Sequence, residues 1–274
     1  MRYKTYIINC DNTSNIRCGT DGYQPKFLVE NGREFLKVQC QIGRTLRDDW
    51  RVEDIASRIC DTLNIYHIKQ TPCKVKIKNN KGAVLNRLGV VSDNFERQGL
   101  QFISYSRILE RNNINPKYKG YINLNTIDKI KYQVGIMSKL CKIDSGLLLK
   151  YMFDIATIDM LVLNQDRHFK NFGVFWNVKM NKYGVAAVFD NGMGLFENDI
   201  MFDNMDKLED CMRYSYIAPY GEDPFELLGI LKETQAYRIY LRNLDIKRLN
   251  ISRSLFVHQA SYEYFCKIKK LMEV

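Results

Sequence analysis

Three polar residues of this sequence stand at spacings that chemistry can use. Asp166 and Asn171 are five positions apart in Asn164-Gln165-Asp166-Arg167-His168-Phe169-Lys170-Asn171, directly after a strongly apolar stretch. Asp190 closes the apolar run Val185-Ala186-Ala187-Val188-Phe189, and Asn191-Gly192 turns the chain after it. A carboxylate on a rigid loop can accept or orient the proton of an attacking hydroxyl. Magnesium takes hard oxygen ligands and few of them from protein, so Asn171 with Asp190 is a sufficient pair. Base and metal ligands together are what phosphoryl transfer from a nucleotide requires. An Asp or Asn in a loop is more commonly a turn former or cap. What weighs against that reading is order: the loop follows an apolar helix, and a second acid ends the next strand.

The elements that must carry these residues change character along the chain. Residues 1–94 read as a small β-rich lobe. Lys4–Cys10 is β-rich, and Phe27-Leu28-Val29 and Phe35-Leu36-Lys37-Val38 flank Asn31-Gly32, a strong hairpin signal. Val52, Ile55, Ala56, Ile59 and Leu63 fall on one face of a helix over 50–64. Strands return at 73–79 and 84–91, around Lys81-Gly82. Residues 95–274 read as a larger helical lobe, with helices over 126–141, 145–163, 224–235, 245–256 and 257–272. A short β insertion, 173–177 then 183–190, interrupts them. The fold class expected is α+β: a two-lobed, protein-kinase-like fold with the cleft between a small β-rich N-lobe and a helical C-lobe.

The stretch NQDRHFKNFGVFWN, followed by AAVFDNGMGLF, resembles the catalytic segments of HipA-like kinases, bacterial serine/threonine kinases that are often the toxin of a toxin–antitoxin pair. The pattern D-R-H-x-x-N is also shared with phosphoinositide kinases and their relatives. The resemblance implies Asp166 as catalytic base, Asn171 and Asp190 as Mg2+ ligands, and His168 as a structural residue or an aid at the γ-phosphate of ATP. It extends to the N-lobe. Cys18-Gly19-Thr20-Asp21-Gly22-Tyr23-Gln24-Pro25-Lys26 resembles the family's phosphate loop, with core G-x-Q-x-K, so Gly19, Thr20, Gly22 and Lys26 would contact ATP. A Gly-rich turn exposes backbone N–H groups to phosphate. Lys37 resembles the strand lysine that grips the phosphates, and Glu53 the helix glutamate that pairs with it. Leu36 and Val38 flank Lys37, so it faces opposite to both; periodicity does not say which face is the cleft. Adenine is expected against Val90–Asp93. A protein substrate and an antitoxin partner are implied in the same way, with nucleic acid reached only indirectly. The chain begins close to the phosphate loop and so resembles a minimal core without the extra N-terminal subdomain of full HipA proteins. Gly19 stands where HipA has its autophosphorylated serine, and no A-P-E segment follows Asp190, so neither that switch nor an activation-loop phosphate is expected.

Composition bounds the rest. The 274 residues carry 41 Lys+Arg against 31 Asp+Glu, a formal charge of +10, which suits a phosphate-rich partner without choosing one. Eight cysteines are scattered singly with no C-x-x-C pair, and there are three histidines, which argues against zinc and for buried free thiols in a reducing, cytoplasmic protein. No secretory leader is visible at Met1–Cys10, and the most apolar stretch, Tyr151–Leu163, holds Asp154 and Asp159 and is too short to span a bilayer. Gly-Lys never occurs, so there is no Walker A loop, and G-x-S-x-G and H-E-x-x-H are absent. His67 and His258 have no partners in sequence. Three rivals stay open: a small-molecule or phosphoinositide-type kinase, a nucleotide-binding pseudokinase acting as a binding module, and a basic nucleic-acid-binding protein.

Overall fold

A computed structural model describes residues 3–9, 25–39, 41–42, 45–78, 83–115, 119–195, 208, 212 and 215–273. The chain enters through β1 (Thr5–Asn9), β2 (Lys26–Val29), β3 (Glu34–Val38), and the short pair β4 (Gln41–Ile42) and β5 (Thr45–Leu46). Helix α1 (Asp49–Leu63), β6 (Thr71–Lys78) and β7 (Val84–Asp93) follow. Then come β8 (Leu100–Ser104), α2 (Tyr105–Arg111), α3 (Lys119–Ile122), α4 (Thr126–Cys141), α5 (Ser145–Val162), β9 (Gly173–Asn177) and β10 (Lys182–Val185). Helices α6 (Pro224–Glu233), α7 (Gln235–Asn243) and α8 (Gln259–Met272) close the chain. The α+β class expected from the sequence is what is found.

Five strands form one sheet in the order β1-β6-β7-β3-β2, with β1 parallel to β6 and every other pair antiparallel. The β2–β3 hairpin turns through Glu30, Asn31 and Gly32, all at positive φ, which is the conformation Asn-Gly favours. One face of the sheet buries Tyr6, Ile8, Leu36, Val38, Cys73 and Val75 in a small core. Gly89 is needed in β7 because a Cβ there would stand 2.4 Å from the Lys37 carbonyl oxygen. A second, larger core gathers α1, α4, α5, the sheet β10-β9-β8 and the C-terminal helices. The apolar face read for 50–64 therefore packs chiefly on α5 and its neighbours, while the same helix also touches β6 and β7. Helix α5 is buried nearly all round, as its apolar run requires.

Four readings change. The segment 245–256 is no helix: it makes two 3-10 turns, Ile246–Arg248 and Arg253–Leu255, and its buried residues Ile246, Leu249, Ile251 and Phe256 do not repeat at a helical interval. Helices missed in the sequence are the short α2 and α3 and, in the C-terminal part, α7, which buries Tyr237, Tyr240 and Leu241 at i, i+3 and i+4 behind the N-cap Thr234. The β insertion has a third strand, β8, paired with β9. Finally, the strand expected to run to Asp190 stops at Val185; Ala186–Val188 continue through the core, with Val188 bridged to His67. Among the described residues no helix is long and apolar enough to cross a membrane. Cys60, Cys73 and Cys141 are buried free thiols as expected, and burial pushes Cys73 up to about 12 and Cys141 up to about 11; Cys266 is free and exposed.

Candidate active site

Helix α5 ends where Leu163 takes a left-handed conformation, φ +48°, which is costly for leucine and held here by complete burial. The loop from Asn164 then folds on itself. Asn164 Nδ2 donates to Asp159, and its Oδ1 accepts from the Asp166 amide at 3.1 Å. The Asp166 carbonyl accepts from His168 N and from Asn171 Nδ2. That last bond fixes the Asn171 carboxamide and leaves its Oδ1 without a partner among the described residues. Asp166 and His168 are both exposed.

Arg167 is the organiser, and the sequence reading assigned it no role. Its side chain is 1% exposed, as is that of Asp159 with which it pairs at 2.8 Å. The guanidinium also donates to the carbonyls of Asn171 and Phe189 and to Asn191 Oδ1. One side chain thus ties α5 to the loop and to both residues flanking Asp190. Asp159 holds Arg167 protonated above its ordinary range, against the opposing effect of burial. The available signal was an acid, Asp159, inside an apolar helix, a mark of burial with a partner.

Across from the loop, Lys37 projects from the face of β3 opposite to Leu36 and Val38, which are fully buried in the small core. Its Nζ bonds to Glu53 Oε1 and, at 2.8 Å, to Asp190 Oδ1. Glu53, 0% exposed at its side chain, also accepts from the Asn191 amide through Oε2. Lys26 lies opposite Lys37 on β2 and approaches Asp190 to 4.0 Å. Burial alone would lower the Lys37 ammonium and raise the Asp190 carboxyl. The charges on each other's side reverse both: Asp190 and Glu53 hold Lys37 above its ordinary value, and Lys37, then Lys26, hold Asp190 well below the carboxylate range. Asp190 sits at φ +60°, which Asp tolerates better than most residues.

Lys26, His168, Asn171 and Asp190 line one cavity of about 660 Å³, together with Phe102, Ser104, Ser106, Arg107, Glu110 and Lys170. The structure thus brings together Lys26, Lys37, Glu53, His168, Asn171 and Asp190, with Asp166 on the exposed loop beside them. Gly19, Thr20 and Gly22 lie outside the described residues. The contribution of β8 and α2 to the cavity had no signal in the sequence, because it depends on how a distant strand packs. No three His, Cys, Asp or Glu residues gather to hold a metal among the described residues. The donor set present, one carboxylate and one carboxamide oxygen beside an open cavity, fits magnesium, which keeps several waters and takes few protein ligands. The lysines fit phosphate.

No protein-family model matches the sequence, and no curated protein sequence matches it. Solved structures do. The crystal structure of a Helicobacter pylori proinflammatory kinase, CtkA, matches with TM-score 0.63 and 15% identity over 96% of this chain and 91% of that one. The chain has a kinase fold. HipA of Shewanella oneidensis MR-1, solved with HipB and operator DNA, matches with TM-score 0.42 and 12% identity, over 96% of this chain and 64% of that one.

Proposed function

We propose that this protein is an ATP- and Mg2+-dependent kinase of the HipA-like type that phosphorylates serine or threonine on a protein. The observation that carries the reading is the bridge Glu53–Lys37–Asp190, which joins α1 and β3 to the distant Asp190 turn, with Asp190 at the wall of a cavity that also holds Asn171. The kinase fold supports it. Residues 1–94 would be the N-lobe and 95–274 the C-lobe. Lys37 and Lys26 put positive charge where phosphate oxygens would bind, and Glu53 keeps Lys37 on the cleft side of β3. Asn171 Oδ1 and the Asp190 carboxylate would hold magnesium, which when bound neutralises the charge of the phosphates. Asp166, exposed and free of hydrogen bonds at its carboxylate among the described residues, is left able to orient an acceptor hydroxyl and take its proton. Arg167 holds the Asp166 loop and the Asp190 turn at one separation, and such positioning supplies much of the rate in phosphoryl transfer. The segment Gly19–Lys26 would cover the phosphates, and adenine would rest near Val90–Asp93. A toxin role, with an antitoxin partner, follows only from the HipA-like reading.

The test is transfer of radiolabelled γ-phosphate from ATP to a serine/threonine protein panel by wild type, Asp166→Ala and Asp190→Ala. Label incorporated by wild type alone is the expected result. Equal incorporation by all three sinks the assignment, and wild-type label appearing only on lipid or small-molecule acceptors moves it to the other kinase class.

A further inference from the structure

The sheet carries a second charged surface that the cleft does not use. On β6, Lys74, Lys76 and Lys78 alternate with Cys73, Val75 and Ile77, so the apolar set enters the small core and the three lysines stand exposed on the other face. None of the three forms an ion pair among the described residues. On the same face, Leu88 and Asn86 of β7 stand beside Lys74 and Lys76, and Thr5 and Ile7 of β1 flank them on the other side. Lys74 and Lys76 wall a groove of about 560 Å³ with Gln39, Leu46, Asn86 and Arg87. Among the described residues, no acidic one lines this groove. The cleft, by contrast, includes Glu110 and Asp190, and a third cavity between α1 and β1 includes Glu34, Asp54 and Asp61.

The pattern says what the groove would take. Lysines on alternate residues of a strand repeat at about 6.6–6.8 Å. An extended peptide repeats its own alternate side chains at the same interval, so carboxylates at every second position meet successive lysines in register. Leu46 and Ile7, 42% and 53% exposed, offer apolar surface to the methylenes of such a chain. No aromatic side chain among the described residues lines the groove, so the bases of a single-stranded nucleic acid would find no stacking platform there. We propose that this face docks an extended acidic segment of a partner protein, with Asp or Glu at alternate positions. The inference does not depend on the phosphotransfer reading. The docking face is nonetheless continuous with the cleft: Lys37 pairs with Val90, and Leu88, two residues earlier on β7, pairs with Lys74.

Fluorescence anisotropy with a labelled ten-residue peptide alternating Glu and Ser tests it on the full chain at low ionic strength. Saturable binding that weakens with salt is expected, reduced about ten-fold or more in the triple variant Lys74→Gln/Lys76→Gln/Lys78→Gln. Asp166→Ala should bind as wild type does. The lysines are exposed, so the triple variant should keep the wild-type melting curve, which circular dichroism checks. A peptide of the same composition with its glutamates contiguous should bind more weakly. No binding of the alternating peptide by wild type, or equal binding by the triple variant, overturns the proposal. So does tighter, lysine-dependent binding of an oligonucleotide of equal charge, which would assign the face to nucleic acid.

Discussion

Two ionic clusters meet around Asp190, and they are built in opposite ways. Asp159 and Arg167 are closed to solvent, and every arm of the guanidinium is spoken for by a carboxylate, a carbonyl or an amide oxygen. Lys37, Glu53, Asp190 and Lys26 form the other cluster, in which only Glu53 is fully closed; the side chains of Lys37, Lys26 and Asp190 are 12%, 17% and 28% exposed. The first cluster fixes backbone. The second presents charge that can be redistributed when an anion and a cation enter. A buried pair is costly to break and contributes little flexibility, which is what a hinge-free support needs. A half-open pair can exchange partners at modest cost, which is what a binding surface needs.

The sharpest way to break this comparison is Arg167→Met. It leaves Asp159 charged and unpaired in the core and strands the Phe189 and Asn171 carbonyls, so a loss of about 3–5 kcal/mol is expected in urea denaturation, with activity lost as well. A variant as stable as wild type would mean that the first cluster is no support. Asp166→Asn should do the reverse. Transfer should fall roughly 10²–10⁴-fold, while stability changes by no more than about 0.5 kcal/mol, because the side chain is exposed and unbonded. A smaller, mixed effect is expected for Lys37→Met. It leaves the Glu53 carboxylate buried with only the Asn191 amide, costing roughly 1–3 kcal/mol, and should weaken nucleotide binding measured by calorimetry. Retained nucleotide affinity would remove Lys37 from the working cluster.

The smallest effect concerns Asp49, buried one turn before Glu53. Burial foremost, and then the Glu53 charge, push its carboxyl up to about 7. Folded protein keeps this proton at pH values where unfolded chain has lost it. Unfolded chain therefore binds fewer protons between about pH 4 and 7, and the Asp49 contribution to stability falls as pH rises through that window. Asp49→Asn should flatten this part of the stability–pH curve by an amount on the order of 1–2 kcal/mol, read from melts at pH 5 and pH 8. An unchanged slope would show that Asp49 does not titrate there.

Much of this was legible in the residues because it is written in local pattern. Asn31-Gly32 marks a hairpin that the structure contains. The 3.6-residue repeat over 50–64 and the unbroken apolar run before Asn164 mark α1 and α5. Alternation along Phe35–Val38 showed that Lys37 opposes Leu36 and Val38. Over 245–256 apolar spacing is irregular, and the helix expected there gives way to two 3-10 turns. Strand β8 was invisible for a different reason: Leu100–Ser104 is short and acquires its identity only by pairing with β9, some seventy positions further on.

Residue types nominated Asp166, Asn171 and Asp190 as candidates, and the resemblance to HipA-like kinases added Lys26, Lys37, Glu53 and His168. The first three were legible because residue type and near spacing carry chemical meaning without reference to the rest of the chain. It took the packed fold to set which face of β3 meets Asp190, that Lys37 touches Asp190 as well as Glu53, and that Arg167 rather than any candidate base is the buried centre of the loop. Those outcomes depend on contacts across as many as 153 positions, as between Lys37 and Asp190. At such separation it is the closing of two cores against each other, and no local preference, that sets the distance.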